Sequence, residues 1–284
     1  MSAQRLMAFG LKFYIVVFFL YLFLPLLIMA AATFNDSRFP TVTPWGGTTL
    51  RWFGELWADG GMWEALVNSL LVAVGVLCLA VPIGISSALF LNTVTSRAKP
   101  FLYALILSPL LTPGVIIGIS TLIFWRQFGV SGGIFLTVLG QATFISAYVM
   151  LMVTARLQRF DRTMERAALD LGASQWQMFR RILLPYLKPA ILSAAVIAFL
   201  QSFENYNTTL FVAGYDTTLT VYIASKVRTG LTPAVNALGL ILILITVLLA
   251  VAYELKRRRE QGAALRLKAL SRPPRLMRSD TLEK

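Results

Sequence analysis

The sequence predicts an all-α polytopic membrane protein with six transmembrane helices, and three observations carry that prediction. Of the 284 residues, 57% are hydrophobic and only 14% are charged, against about 25% charged in soluble domains. The apolar residues fall in blocks free of Asp, Glu, Lys and Arg at 13–35, 65–96, 100–125, 127–155 and 229–253, and a further block, 189–215, is interrupted only by Glu204. Each block exceeds the ~20 residues that a helix needs to cross a bilayer.

The first helix is expected at 12–33. Arg5 and Lys12 ahead of it and Ala30-Ala31-Ala32 behind it are the flanks of a signal peptide. Its apolar run is longer than the ~7–15 residues of a cleaved segment, so it is read as an uncleaved span. The loop that follows, 34–64, carries Trp45, Trp52, Phe53, Trp57 and Trp63. Aromatic residues at that depth anchor a protein at the membrane interface, or they form a docking surface for an external partner; both readings stand. The second helix is expected at 65–92 and the third at 101–125, with Pro82, Pro109 and Pro113 as kinks inside them. Membrane helices tolerate such kinks when neighbouring groups satisfy the freed carbonyls. Gly129-Val130-Ser131-Gly132 reads as a turn before the fourth helix, 134–155. The loop 156–188 leads to a fifth helix, 189–212, and a sixth follows at 234–254. The tail 256–284 opens on Lys256-Arg257-Arg258-Arg259 and contains Pro273-Pro274, and is expected to be a disordered basic anchor.

Lys and Arg counts orient the chain. With residues 1–11 in the cytoplasm, the inside segments hold 21 Lys and Arg and the outside segments 5. Positive residues collect on the cytoplasmic side, so both termini are expected inside, with 12–255 as the transmembrane domain. The net charge of +13 therefore belongs to membrane orientation, and no nucleic-acid partner is expected.

Composition also excludes chemistry. There is no histidine, and Cys78 is the only cysteine, so no zinc site of His and Cys can be assembled. Six spans and Gly-Val-Ser-Gly imitate an intramembrane serine protease, but that nucleophile needs a general base. No glycine is followed by lysine anywhere, which removes the phosphate loop Gly-x4-Gly-Lys-Ser/Thr. The chain is expected to have no catalytic residue, no metal and no cofactor of its own. An ion-coupled secondary transporter would need carboxylates within its spans, and Glu204 alone qualifies.

The most specific segment is the inside loop, reading Glu165-Arg166-Ala167-Ala168-Leu169-Asp170-Leu171-Gly172-Ala173-Ser174-Gln175-Trp176-Gln177-Met178-Phe179-Arg180-Arg181-Ile182-Leu183-Leu184-Pro185. The pattern predicts a helix over 165–171, a turn at Gly172, and a second short helix capped by Ser174 and ending before Pro185. That second helix would show Trp176, Phe179, Ile182 and Leu183 on one side and Arg180 and Arg181 on another. It would form either a plain interfacial helix or a surface for a cytoplasmic partner.

This loop resembles the signature of permease subunits of binding-protein-dependent ABC importers, Glu-Ala-Ala-x3-Gly-x9-Ile-x-Leu-Pro. Ala167, Ala168, Gly172, Ile182, Leu184 and Pro185 stand at the required spacing. The signature's Glu is Arg166 here, with Glu165 one residue earlier. The resemblance, which extends through Asn68-Ser69-Leu70 and covers nearly all of 10–255, implies a type I ABC importer permease fold. Glu165, Ala167, Ala168, Gly172, Ala173, Trp176, Phe179, Arg180, Ile182, Leu184 and Pro185 would then couple the chain to an ATPase. The implied partners are a second homologous permease, two copies of a cytoplasmic ATPase holding ATP and Mg, and a periplasmic or extracellular solute-binding protein, all at a bacterial inner membrane. Within that family, Ser202-Phe203-Glu204-Asn205-Tyr206 and Pro233-Ala234-Val235-Asn236-Ala237-Leu238 look most like spermidine/putrescine permeases. Glu204, Asn205 and Tyr206 are accordingly candidates for the substrate pathway, with Glu204 expected inside the fifth span. Opines, aminophosphonates and amino-acid derivatives are alternative substrates.

Overall fold

The structure is a computed structural model that describes residues 3–230 and 232–270. Helices dominate, and the chain divides into two compact units, one of residues 1–56 and 232–284 and one of residues 57–231.

In the first unit, helix α1 (Ala3–Phe34) bears Arg5 and Lys12 near its start, is apolar on every face from Phe13 onward, and carries Pro25. It packs against α12 (Pro233–Leu270). The loop after α1 is folded around one side chain. Asn35 is fully buried; its amide donates to the carbonyls of Thr41 (2.8 Å) and Pro44 (3.1 Å), and its Oδ1 accepts from Gly46 N–H at 2.8 Å. Trp52, on helix α2 (Arg51–Ala58), donates its indole N–H to Asn35 O at 2.9 Å. The tryptophans of residues 34–64 therefore separate into two kinds. Trp52 is a buried strut, whereas Trp45 and Trp57 are 50% and 72% exposed.

In the second unit, α3 (Gly60–Thr93), α6 (Ile134–Leu157) and α9 (Leu184–Phe203) pack as a three-helix core. Lipid removes the hydrophobic drive between helices, so close packing of small residues must hold them. Ala73, Ala80 and Ala88 of α3, Ala142 and Ala147 of α6, and Ala194 and Ala198 of α9 are at most 3% exposed. Val72, Val76, Ile145, Val149 and Val153 fill the remaining space. Gly84 lets α3 and α6 approach closely, since a Cβ there would lie 2.5 Å from Val149 Cβ and 2.7 Å from Ser146 O.

Among the described residues, four helical stretches are long and apolar enough to cross a membrane: Phe9–Phe34, Gly60–Thr93, Ile134–Leu157 and Gln175–Phe203. The expected third span departs from its prediction. It is two helices, α4 (Lys99–Leu111) and α5 (Gly114–Arg126), bent by 99°. Thr112 is extended (ψ 131°) because it precedes Pro113. Pro113 also lacks the N–H that would continue the ladder. The expected fifth span, 189–212, likewise stops at Phe203, and only a short helix, α10 (Thr209–Val212), follows. The sixth apolar stretch, Pro233–Leu248, is part of α12. That helix runs on through 256–270, where disorder was expected; Ala263-Ala264-Leu265 and Lys268-Ala269-Leu270 are strong helix formers. The remainder of the expected tail, 271–284, lies outside the described residues.

Gly84→Ala should destabilise the second unit by about 1–3 kcal/mol, since overpacking forces the neighbouring backbone to shift. Gly10→Ala, with no atom within 4 Å of the new Cβ, should instead stabilise its helix by up to about 1 kcal/mol, so the two variants shift in opposite directions. Thermal unfolding in detergent reads the difference, and an unchanged midpoint for Gly84→Ala would contradict the close approach.

Candidate coupling loop and translocation segment

The loop between α6 and α9 is built from two capped helical pieces. Helix α7 (Arg162–Asp170) starts at Asp161, whose carboxylate accepts from Thr163 N–H at 2.9 Å. The Thr163 backbone and hydroxyl hold that carboxyl below its ordinary value. At its other end Gly172 has φ +83°; Ala173 N–H bonds to Ala168 O (3.0 Å) and Gly172 N–H to Leu169 O (2.9 Å). This is the Schellman closure, which glycine permits without strain. Ser174 then caps α8 (Gln175–Met178) in a reciprocal box: Gln177 N–H donates to Ser174 Oγ (3.2 Å), and Ser174 N–H to Gln177 Oε1 (2.9 Å).

The second short helix does not end before Pro185. A π turn, Phe179–Leu183, joins α8 to α9, with Leu184 N–H bonded to Phe179 O. Pro185 sits in the first turn of α9, where its missing N–H is tolerated best. One helical rod of 29 residues, Gln175–Phe203, results. Trp176 and Phe179 stack at its head (ring centroids 5.6 Å, interplanar 26°). Trp176 is 65% exposed, and with Gln177, Arg180 and Arg181 it lines a hollow of about 370 Å³. Glu165, Ala168 and Ala173 are half-buried, Ala167 exposed, Ile182 half-buried, and Leu184 and Pro185 exposed. Arg156 fixes the rod to α6: its guanidinium lies 4.1 Å from the Tyr186 ring centroid, and Tyr186 Oη donates to Arg156 O at 3.3 Å. Arg162 ties α7 to the end of α3 through Asn92 Oδ1 at 3.0 Å.

At the opposite end of the rod the chain leaves the helix at Glu204, which is the C-cap of α9. Glu204 was expected within a span; it is instead exposed at a helix terminus. Asn205 turns the chain, its Oδ1 accepting from Thr208 N–H, Thr209 N–H and Thr209 Oγ1 at 3.2–3.3 Å. Tyr206 Oη accepts from Arg228 at 3.1 Å.

Beneath this turn lies a buried polar chain that the sequence reading missed. Ser202 Oγ donates to Gln141 Oε1 (2.6 Å), and Gln141 Nε2 donates to Thr209 Oγ1 (2.8 Å). A neutral glutamine inside a charge-free block was the available signal. Gly118 lets α5 approach this segment, since a Cβ there would meet Thr208 O at 2.6 Å.

The segment after the turn is laced to α3. Helix α11 (Leu219–Thr229) offers Leu219 N–H to Ser69 Oγ at 2.7 Å, and Asn68 Nδ2 donates to Thr217 O at 3.2 Å. Higher up, Asp59, the N-cap of α3, receives Met62 N–H, Tyr222 Oη–H and Lys226 Nζ. Burial alone would raise the Asp59 carboxyl, but the bonds from Tyr222, Lys226 and Met62 outweigh it and hold the group below its ordinary value. Burial and the bond to Asp59 push the Tyr222 hydroxyl up. Its bonds to Tyr222 and Asp59 raise the Lys226 ammonium.

An all-helical chain with bilayer-length apolar helices, a capped surface knob and a broken, polar-lined span defines a multi-pass membrane transport component. The chain belongs to the family of binding-protein-dependent transport system inner membrane components, whose model matches residues 80–261. It is 32% identical over 237 residues to the spermidine/putrescine transport system permease protein PotC of Escherichia coli (strain K12), covering 83% of this chain and 89% of that one. It is 34% identical to the putrescine transport system permease protein PotI of the same strain, covering 79% and 82%. In fold it is similar to a chain of a bacterial ABC transporter that imports alginate (TM-score 0.69, 14% identity, 91% and 98% covered). It is also similar to one of the MetNI methionine ABC transporter (TM-score 0.55, 20% identity, 79% and 100% covered).

The titrations of the Asp59 cluster have defined signs. Asp59 is lowered, so its tie is present above the unfolded value of about 3.9 and is lost as pH falls through the lower folded value. Tyr222 and Lys226 are raised, so their ties are present below about 10 and are lost as pH rises through the raised values. The protection factors of α11 amides, that is, exchange rates corrected for their intrinsic pH dependence, should therefore be flat at intermediate pH and fall at both extremes, and Asp59→Asn should erase the acid limb. An acid limb that survives Asp59→Asn would contradict this.

Proposed function

We propose that this chain is one of two permease subunits of an ATP-driven importer for a small organic cation, a polyamine of the spermidine/putrescine class. The observation that carries this reading is the similarity to PotC and PotI along about four fifths of the chain. The second, homologous permease completes the pathway, and an external binding protein delivers the solute. Two cytoplasmic ATPase subunits bind ATP and Mg. Both termini are cytoplasmic. The loop from Glu165 to Pro185 is the ATPase-coupling element, with the stacked Trp176–Phe179 pair and Arg180 as its contact surface. Glu204 meets the ammonium of the solute as it leaves the binding protein, with Tyr206 beside it. Asn205 shapes the turn that holds both.

Uptake of labelled spermidine and putrescine by proteoliposomes holding the complete transporter tests the substrate class. ATP-dependent uptake is expected. Uptake of an opine, an aminophosphonate or an amino-acid derivative in their place would overturn the polyamine assignment, and uptake driven by an ion gradient without ATP would overturn the mechanism. For orientation, cysteines at 45 and 215 in a Cys78→Ala background should react with an impermeant reagent from outside, whereas a cysteine at 176 should not.

Two variants separate coupling from substrate contact. Gly172→Val forces a β-branched residue into positive φ. It should leave complex yield and basal ATP hydrolysis intact while abolishing uptake and its stimulation by the binding protein; normal uptake would remove the loop from the mechanism. Glu204→Gln keeps size and loses charge. A charge-assisted bond contributes about 1.5–3 kcal/mol, so uptake should fall roughly ten- to hundredfold with assembly unchanged. Full uptake by Glu204→Gln would exclude the ammonium contact.

A further inference from the structure

The break between α4 and α5 carries a second inference. Pro109 brings no N–H, so Leu105 O loses its helical donor; the Ser108 hydroxyl donates to it instead at 2.8 Å. Pro113 also brings none, and Thr112 N–H turns to Pro109 O at 3.3 Å. Thr112 Oγ1 then donates to Ser108 O at 2.9 Å. On α6, Thr143 Oγ1 donates to Leu139 O at 2.9 Å. A hydroxyl has one proton and two lone pairs. Ser108, Thr112 and Thr143 have each committed that proton to a backbone carbonyl, and their oxygens can only accept.

These three residues, together with Ser120 and Thr121 and the apolar Pro109, Ile116 and Ile117, line one groove of about 240 Å³ at the break. That is many times the ~10–15 Å³ a single water needs by the same measure. No formal charge occurs between 100 and 125 or between 127 and 155. The groove is therefore neutral, and the three committed oxygens are acceptors only. An ammonium is its chemical complement, having three N–H donors and no acceptor. Carboxylate and phosphate groups, which only accept, find no partner at those three oxygens and could take protons only from Ser120 and Thr121, whereas an ammonium can donate to all five hydroxyl oxygens.

We infer that this groove is a way-station for alkylammonium groups on the translocation path, distinct from Glu204 and selective by hydrogen-bond polarity instead of by charge. The inference rests on the cation-importer reading above, and its test keeps the two apart. In the complete transporter, with Cys78→Ser, Ser120→Cys reports on the groove. The probes are the cationic reagent aminoethyl methanethiosulfonate and the anionic sulfonatoethyl methanethiosulfonate. The ratio of cationic to anionic labelling rate should exceed that for a free thiol by about tenfold, and spermidine should slow the cationic reaction. Adding Thr112→Val and Thr143→Val should return the ratio toward the free-thiol value, which separates the groove from the surface charge of the lipid. Thr112→Ser with Thr143→Ser should preserve it and control for folding. No labelling by either reagent would put the hydroxyls against lipid and overturn the inference, as would a free-thiol ratio at Ser120→Cys. Loss of polyamine uptake specificity with the labelling preference intact would instead defeat the substrate class and leave the groove standing.

Discussion

Hydrocarbon offers no water to an unpaired amide or carbonyl, and each unsatisfied group there costs several kcal/mol. Every irregularity in the second unit is shaped by that demand. Where Pro109 and Pro113 break the third span, Ser108 and Thr112 supply hydroxyl protons to the orphaned carbonyls. Where the fifth span ends at Glu204, Asn205 accepts the amides of Thr208 and Thr209 that a continuing helix would have paired. Ahead of Pro185, the ladder widens to a π turn and carries on. The bilayer thus fixes where the chain can leave a helix, and the polar residues of the interior follow from those departures.

The same demand explains which parts were legible in the sequence. Charge-free blocks are a strong signal because one Lys or Glu at the bilayer centre is so costly, and α3 and α6 coincide with two of them. Gly172 and Ser174 act locally, through φ and one side-chain bond, so the turn and the cap could be read from the residues alone. Pro109 and Pro113 were visible too, but a proline does not state its own bend angle; beside the 99° turn, Gly114 and Gly118 leave room for Asn207 and Thr208, nearly a hundred residues away, and no local pattern announces that approach. Glu204 was misjudged for a related reason, since the helix end is set by Asn205 capping the following turn and not by hydropathy. Gln141, Ser202 and Thr209 gave no periodic signal, because a long-range hydrogen bond leaves no spacing rule in sequence.

Two kinds of side chain divide the work at the ends of the three-helix core. Toward the knob, the contacts are few and mixed: Arg156 stacked on Tyr186, and Arg162 reaching Asn92. Toward the turn after Glu204, α11 is fastened to α3 at Asp59 (from Tyr222 and Lys226), Asn68 and Ser69 and to the turn itself through Thr220 Oγ1 and Asn205 O at 3.0 Å. The segment that carries Glu204 and Tyr206 is therefore held on both sides by neutral bonds and by one ionic cluster, and its geometry does not depend on the charge of Glu204.

The unbroken run from Gln175 to Phe203 has a mechanical meaning. Its 29 residues, at 1.5 Å each, make a lever arm of about 43 Å, with Trp176 at one tip and Glu204 just past the other. Pivoting such an arm about its head moves the far tip by roughly 0.75 Å for each degree of tilt, so a swing of ~10° carries Glu204 through about 7 Å, more than a full helical turn. The π turn Phe179–Leu183 and Pro189 are the places where this arm can bend, and beyond them the helix runs on to Phe203 with no further irregularity.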